Sequence, residues 1–258
     1  LKDKGDAKDF LGVRITKQTD STFDMTQPGL IQSILDQTGM DNCKFKDTPA
    51  AEILHPDKEG EPRQETNKWN YRSVIGKLNF LAMNTRPDIA FAVHQCAKFC
   101  SNPRLLHEKA VKYIIRYLAK TKDKGLIFKP TTDGKLDAYV DADFARRWHR
   151  DYAQLRDSVL SRTGYIITYC NCPVTWSSQL QTSVALSTCE SEYMALSTMV
   201  RTLLPLRRIL TEITKTTLPQ VNLDKSLTHM NQMFSLEVHE DNAGYVMRKG
   251  GFQVVQAF

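Results

Sequence analysis

The sequence predicts a mixed α/β fold, mostly helical in its first half and strand-rich in its second, with a capped helix opening at Ser187. Three observations predict it. Between residues 71 and 121, apolar residues recur at steps of three and four, the period of amphipathic helices. Between residues 135 and 178 the pattern changes to short β-rich runs separated by turn residues. Ser187-Thr188-Cys189-Glu190 then reads as a capping box, with Ser187 as N-cap and Glu190 at the third helical position.

The elements follow in order. Residues 10–15 and 22–26 read as two strands around a turn at Asp20-Ser21, and Pro28-Gly29 ends that pair. Leu30, Ile31, Ile34 and Leu35 then give a short helix that stops near Gly39. Residues 48–70 are polar and carry Pro49, Pro56, Gly60 and Pro62, which reads as a linker. Helices are expected over residues 71–83, from Pro87, and from Pro103 to about Thr121. The last has an apolar face at Ala110, Val111, Ile114, Ile115 and Leu118. Its other face presents Lys109, Lys112, Arg116 and Lys120, a basic stripe that suits a phosphate backbone or simply water.

After the turn at Thr132-Asp133-Gly134, strands are expected over 135–140, 164–170 and 173–178. The helix opened by Ser187 carries Met194, Leu196, Val200 and Leu203, and Pro205 is expected to kink or interrupt it. A further strand over 236–240 and a helical turn over 243–248 complete the order β-β-β-α-β-α.

Composition narrows the function. With 258 residues, 41% hydrophobic and 25% charged, the chain is of globular type, and its net charge of +6 favours polyanionic partners. No apolar run approaches the ~20 residues of a membrane-spanning helix, and residues 1–5 form no signal-peptide core. The six cysteines lack zinc-site spacing and read as reduced thiols of an intracellular protein, with Cys96 and Cys100 as small core residues. The chain starts without a Met and reads as a piece of something longer.

Three acids carry the chemistry. Asp141 ends one strand-like run, Glu192 lies within the helix opened by Ser187, and Asp241 ends another strand-like run. Carboxylates brought together from such positions repel one another unless a cation lies between them. Two Mg²⁺ ions held there would activate a water and stabilise the leaving oxygen of a phosphodiester. Asp143 competes with Asp141, because strand alternation sends both to the same side. Glu190 competes less with Glu192, because it has a capping role.

The motifs resemble the C-terminal part of the Pol polyprotein of copia-type LTR retrotransposons. Phe10-Leu11-Gly12-Val13 with Gln27-Pro28-Gly29 is similar to the segment after the polymerase active site of the reverse transcriptase. The run from Tyr71 to Leu81 and Thr85-Arg86-Pro87-Asp88-Ile89 are similar to the connection region. Tyr139-Val140-Asp141-Ala142-Asp143-Phe144-Ala145, Ser161-Arg162-Thr163-Gly164-Tyr165, Trp176-Ser177-Ser178 and the run from Ala185 to Tyr193 resemble the ribonuclease H domain. The resemblance implies a thumb-side remnant over 1–47, a linker over 48–70, a helical connection over 71–130 and a truncated ribonuclease H-like mixed sheet over 131–258. In that fold the strand ending at Asp141 would lie parallel and adjacent to the strand ending at Asp241.

The resemblance favours Asp141 over Asp143. It implies hydrolysis of RNA in RNA–DNA hybrids with Mg²⁺, or Mn²⁺, held by Asp141, Glu192 and Asp241. It also implies an upstream polymerase core as partner and a place in the cytoplasm, a virus-like particle or the nucleus. The polymerase's paired aspartates have no equivalent here, and nothing after Asp241 is acidic or histidine, so a fourth ligand is missing and weak activity is expected. Arg146-Arg147-Trp148 stands where a small, glycine-containing turn is expected. The rival readings are a non-catalytic nucleic-acid-binding remnant and a decayed element that folds poorly.

Overall fold

The computed structural model describes residues 9–18, 22–51, 54, 60–63, 69–145, 148, 150–154 and 156–214. They form a mixed α/β structure in two compact units, one ending at Lys129 and the other beginning at Pro130.

The first unit opens with strands β1 (Asp9–Phe10), β2 (Val13–Lys17) and β3 (Phe23–Thr26), all antiparallel. The single strand expected over 10–15 is corrected to a hairpin. Leu11 and Gly12 have φ of 50° and 79°, a two-residue turn that pairs Phe10 with Val13. Leucine is not a residue that announces such a turn, so the sequence pattern hid it. The turn expected at Asp20-Ser21 lies outside the described residues.

Helix α1 (Pro28–Thr38) starts on proline, whose missing N–H costs nothing at a first helical position. It stops at Gly39, whose left-handed φ of 66° lets Met40 N–H bond back to the Leu35 carbonyl at 3.0 Å. Helix α2 (Tyr71–Asn84) is capped by the Asn70 side chain, which accepts from Ser73 N–H at 3.0 Å. A short 3₁₀ turn at Pro87–Ile89 leads into α3 (Ala90–Ala97), and α4 (Leu105–Lys120) follows.

Strand β4 (Leu126–Phe128), which the sequence reading lacked, adds to β3 with Met25 opposite Leu126. Gly125 makes this pairing possible: a Cβ there would lie 2.0 Å from the Met25 carbonyl oxygen. The four helices share one core, in which Ile31, Ile34, Val74, Leu78, Val93, Ile114, Ile115 and Leu118 are all buried. The polar stretch 48–70 contributes Leu54 and Trp69 to that core.

The second unit is a three-stranded antiparallel sheet of β5 (Leu136–Asp143), β6 (Arg162–Tyr169) and β7 (Cys172–Leu180), with a short α5 (Arg156–Val159) before β6. Cys170 and Asn171, at φ 49° and 62°, turn β6 into β7. Helix α6 (Thr188–Thr214) covers one face. Leu136, Ala138 and Val140 of β5 meet Ala195, Met199 and Leu203 of α6, and Tyr165 Oη lies 3.2 Å from Thr202 Oγ1.

The interruption expected at Pro205 is corrected: α6 runs through it. Pro205 and Arg201 are both exposed, so the Arg201 carbonyl, deprived of its helical donor, faces water. Among the described residues all strand pairs are antiparallel. The expected strand 236–240 and helical turn 243–248 lie outside them.

Candidate functional site

Alternation along β5 sorts its side chains into two sets. The even positions Leu136, Ala138, Val140 and Ala142 pack towards α6. The odd positions Asp137, Tyr139, Asp141 and Asp143 belong to the other face. Asp141 is half-buried there, opposite Gly164 of β6, where an added Cβ would meet nothing within 4 Å. Burial pushes its carboxyl pKa up, and a hydrogen bond from the Ala142 backbone N–H only partly opposes that. Asp141 has no cationic partner among the described residues.

Asp143, two positions on, is also half-buried, with Arg162 opposite it in the sheet register. Arg162 itself donates to Ser178, at 3.1 Å to the carbonyl and 3.3 Å to the hydroxyl.

At the start of α6 the capping box forms. Ser187 Oγ accepts from Glu190 N–H at 3.1 Å, and the Glu190 carboxylate accepts from Leu186 N–H at 2.7 Å. Glu190 therefore serves the helix end, while Glu192, half-buried, lies in the following turn. Gln181 ties this helix end to the sheet, donating to Thr163 Oγ1 at 3.2 Å and to the Ser191 carbonyl at 2.8 Å. Thr163 pairs with Ala142, so Glu192 and Asp141 belong to the same end of the sheet. Asp241, Arg146 and Arg147 lie outside the described residues. Among the described residues no group of three or more His, Cys, Asp or Glu is placed to hold a metal ion.

The basic stripe on α4 is less free than its sequence implies. Lys112 Nζ is 2.6 Å from Glu108 Oε1, and Lys120 pairs with Asp47. Lys109 is exposed, and Arg116 is half-buried.

Two buried ion-pair networks escaped the sequence reading. Glu108, with no exposed side-chain surface, accepts from Arg63 Nε at 2.8 Å as well as from Lys112. Arg63 in turn lies 4.2 Å above the Trp69 ring and donates to the Trp69 carbonyl. Burial alone would raise the Glu108 pKa, but bonds from Lys112 and Arg63 outweigh it and hold the carboxyl below its usual value.

Arg86, 2% exposed, donates to both Asp88 carboxylate oxygens, to the Thr121 carbonyl at 2.9 Å and to the Thr121 hydroxyl at 2.7 Å. Tyr117 Oη donates to Asp88 at 2.7 Å, and burial first, then the Asp88 charge, pushes the phenol up to about 12. Glu108 and Lys112 stand at i,i+4, but no spacing rule announces Arg63 or Thr121 as partners, which lie 45 and 35 residues from Glu108 and Arg86.

The comparisons with known proteins bear on both units. The chain is 36% identical over 219 residues to the retrovirus-related Pol polyprotein from transposon TNT 1-94 of Nicotiana tabacum, covering 83% of this chain and 16% of that protein. It is 33% identical over 197 residues to the corresponding polyprotein from transposon RE1 of Arabidopsis thaliana, covering 76% of this chain and 13% of that protein. A secreted RxLR effector protein of Plasmopara viticola is 40% identical over 127 residues, covering 49% of this chain and 84% of the effector. No family model matches the chain, and no solved structure matches it. No helix among the described residues is long and apolar enough to cross a membrane.

Proposed function

The chain belongs to the copia-type retrotransposon Pol polyproteins, and on that premise we propose that its second unit is a ribonuclease H-type domain that hydrolyses RNA paired to DNA. The observation that carries the reading is Asp141: a half-buried carboxylate with no cationic partner among the described residues, beside an open position, at the sheet end where α6 begins. The order of motifs from Tyr139 through Glu192 supports it.

The donor set fits Mg²⁺, and also Mn²⁺, because both prefer carboxylate oxygens. Asp141, Glu192 and Asp241 would hold the ions, which when bound activate the attacking water and stabilise the leaving oxygen. Asp141 anchors from the strand and Glu192 from the helix. The reading requires Glu192 to reach round the rim of the sheet, since α6 covers the even-numbered face of β5. The polymerase core upstream and the hybrid substrate are proposed as partners, for the chain spans only 13–16% of the polyproteins it matches.

The alternative, a non-catalytic nucleic-acid-binding remnant carried by α4, has less support because Lys112 and Lys120 are already paired.

The test is cleavage of a labelled RNA–DNA hybrid by residues 1–258 in Mg²⁺ and in Mn²⁺, with Mn²⁺ binding measured by calorimetry in parallel. Slow cleavage, faster in Mn²⁺, is expected, and Asp141→Asn and Glu192→Gln should each abolish it and weaken Mn²⁺ binding. Cleavage or Mn²⁺ binding that survives Asp141→Asn unchanged overturns the site.

A further inference from the structure

Four stretches of the second unit meet in a buried polar knot, and Gln181 is the residue that joins them. Its backbone N–H donates to the Ser161 carbonyl at 2.9 Å, and Ser161 Oγ accepts from Ala145 N–H at 3.3 Å. Its side-chain Nε2 donates to Thr163 Oγ1 at 3.2 Å and to the Ser191 carbonyl at 2.8 Å. Ser191 Oγ donates in turn to the Thr188 carbonyl at 2.6 Å. Ser161, Thr163, Gln181 and Ser191 are all buried. The stretch after β5, the start of β6, the end of β7 and the first turn of α6 are tied together in this way.

The residue type fits that task. An amide nitrogen carries two N–H donors and no charge, so one atom serves a hydroxyl and a carbonyl together. A carbonyl oxygen has two lone pairs, so Ser191 can accept from Gln181 and keep its place in the helix. A lysine or arginine would also donate, but its charge would be costly in a buried place.

The tie also has a task to perform. The apolar core between α6 and β5 takes its first helical residue at Ala195, one turn past Ser191. Helix ends fray, so the turn before Ala195 needs its own attachment. The capping pair of Ser187 and Glu190 bonds the helix end to itself, whereas Gln181 bonds it to β6. Glu192 follows Ser191 directly, and Thr163 stands opposite Ala142, the neighbour of Asp141. A bond that holds the Ser191 carbonyl to Thr163 therefore holds the backbone carrying Glu192 to the strand end carrying Asp141.

We propose that Gln181 is a positioning residue, whose amide sets where Glu192 stands relative to Asp141; this rests on the ribonuclease H reading, in which both carboxylates hold the ions. Groups that orient a metal ligand from behind typically change metal affinity by about 10–100-fold when removed.

A double-mutant cycle on residues 1–258 tests it, with Mn²⁺ affinity read by calorimetry and stability by thermal melting. Gln181→Met, close to glutamine in size and unable to donate, should weaken Mn²⁺ binding about tenfold or more and lower the melting temperature by several degrees. In a Glu192→Gln background, Gln181→Met should lower the melting temperature equally but cost no further Mn²⁺ affinity, because the ligand it positions is already gone. If Gln181→Met does not fold, Gln181→Asn, whose amide is one methylene too short for Ser191, enters the same cycle with the same expectation. An equal loss of Mn²⁺ affinity in both backgrounds would reduce Gln181 to a general brace and overturn the proposal. So would Mn²⁺ affinity unchanged in both Gln181 variants while Asp141→Asn loses it, a result that leaves the ribonuclease H reading standing. A parent chain that binds no Mn²⁺ overturns that reading, and the role of Gln181 with it.

Discussion

Glu108 in the first unit and Asp141 in the second are both carboxylates drawn out of water, and the fold treats them in opposite ways. Glu108 is fully buried between Arg63 and Lys112, and its pKa falls. Asp141 is half-buried with one backbone N–H, and its pKa rises. The first arrangement is complete and spends its charge on holding α4 to the segment around Trp69. The second has one backbone N–H, an open position opposite it and no cationic partner among the described residues. Two family motifs repeat the contrast. Thr85-Arg86-Pro87-Asp88 is absorbed into a buried network with Thr121 and Tyr117, whereas Tyr139-Val140-Asp141-Ala142-Asp143 leaves its acids on a face that α6 does not cover. A motif shared with a family therefore has two physical meanings, and burial with matched partners separates them.

The largest effect should come from breaking the completed side of this contrast. Arg86→Ala leaves Asp88 and the Thr121 carbonyl without their cation and should cost about 3–5 kcal/mol in urea unfolding. A loss below about 1 kcal/mol would mean that the network is decoration.

Glu108→Gln should cost about 1.5–3 kcal/mol at pH 7, less than Arg86→Ala because Arg63 and Lys112 can still turn towards water. The pH dependence has a definite sign. A carboxyl whose folded pKa is lowered stabilises the fold above its unfolded value near 4.3, and that stability is lost as pH falls through the folded value. The gap between the parent and Glu108→Gln should therefore close below about pH 4 in stability measurements across pH. A gap that persists at pH 2 would show that packing, not charge, sets the cost.

Gly125→Ala tests the edge of the first sheet. Its Cβ must displace the Met25 backbone, so β4 should separate from β3 at a cost of about 1–3 kcal/mol. Hydrogen exchange of the Leu126–Phe128 amides should quicken; unchanged exchange would mean that the strand pairing absorbs the methyl group.

The smallest effect should have the opposite sign. Because the folded pKa of Asp141 is raised, stability falls as pH climbs from the unfolded value near 3.9 through the folded one. Asp141→Asn should consequently be slightly more stable than the parent at pH 7, by about 0.5 kcal/mol, and equal to it below about pH 3. Adding Mn²⁺ should stabilise the parent and not the variant. A destabilised Asp141→Asn would make Asp141 a second Glu108 and dissolve the contrast.

Periodic elements were legible in the sequence. The helical spacing of Val74, Ile75, Leu78 and Leu81 marks α2, and the capping residues at Ser187 mark the start of α6. Short or locally atypical elements were not. Strand β4 has three residues and no period, and it exists because Gly125 lets it approach a strand a hundred residues earlier. The Leu11-Gly12 turn carries a leucine where Asn or Asp would signal it. Of the candidate site, Asp141 on a strand and Glu192 in a helix were readable from pattern; β5 ends at Asp143 rather than at Asp141, and Asp241 lies outside the described residues.

By itself the sequence determined the family, the helical first half, the strand-rich second half and that Asp141 stands on a strand and Glu192 on a helix. Local chemistry suffices for these: apolar period, capping residues and turn residues act over a few positions. Tertiary structure decided which charges are spent. It paired Lys112 and Lys120 with Glu108 and Asp47, enclosed Arg86 with Asp88 and set Asp141 on the sheet face away from α6. The physical reason is that the cost of a charge or an amide depends on the water and partners around it, and those come from residues far away in the chain.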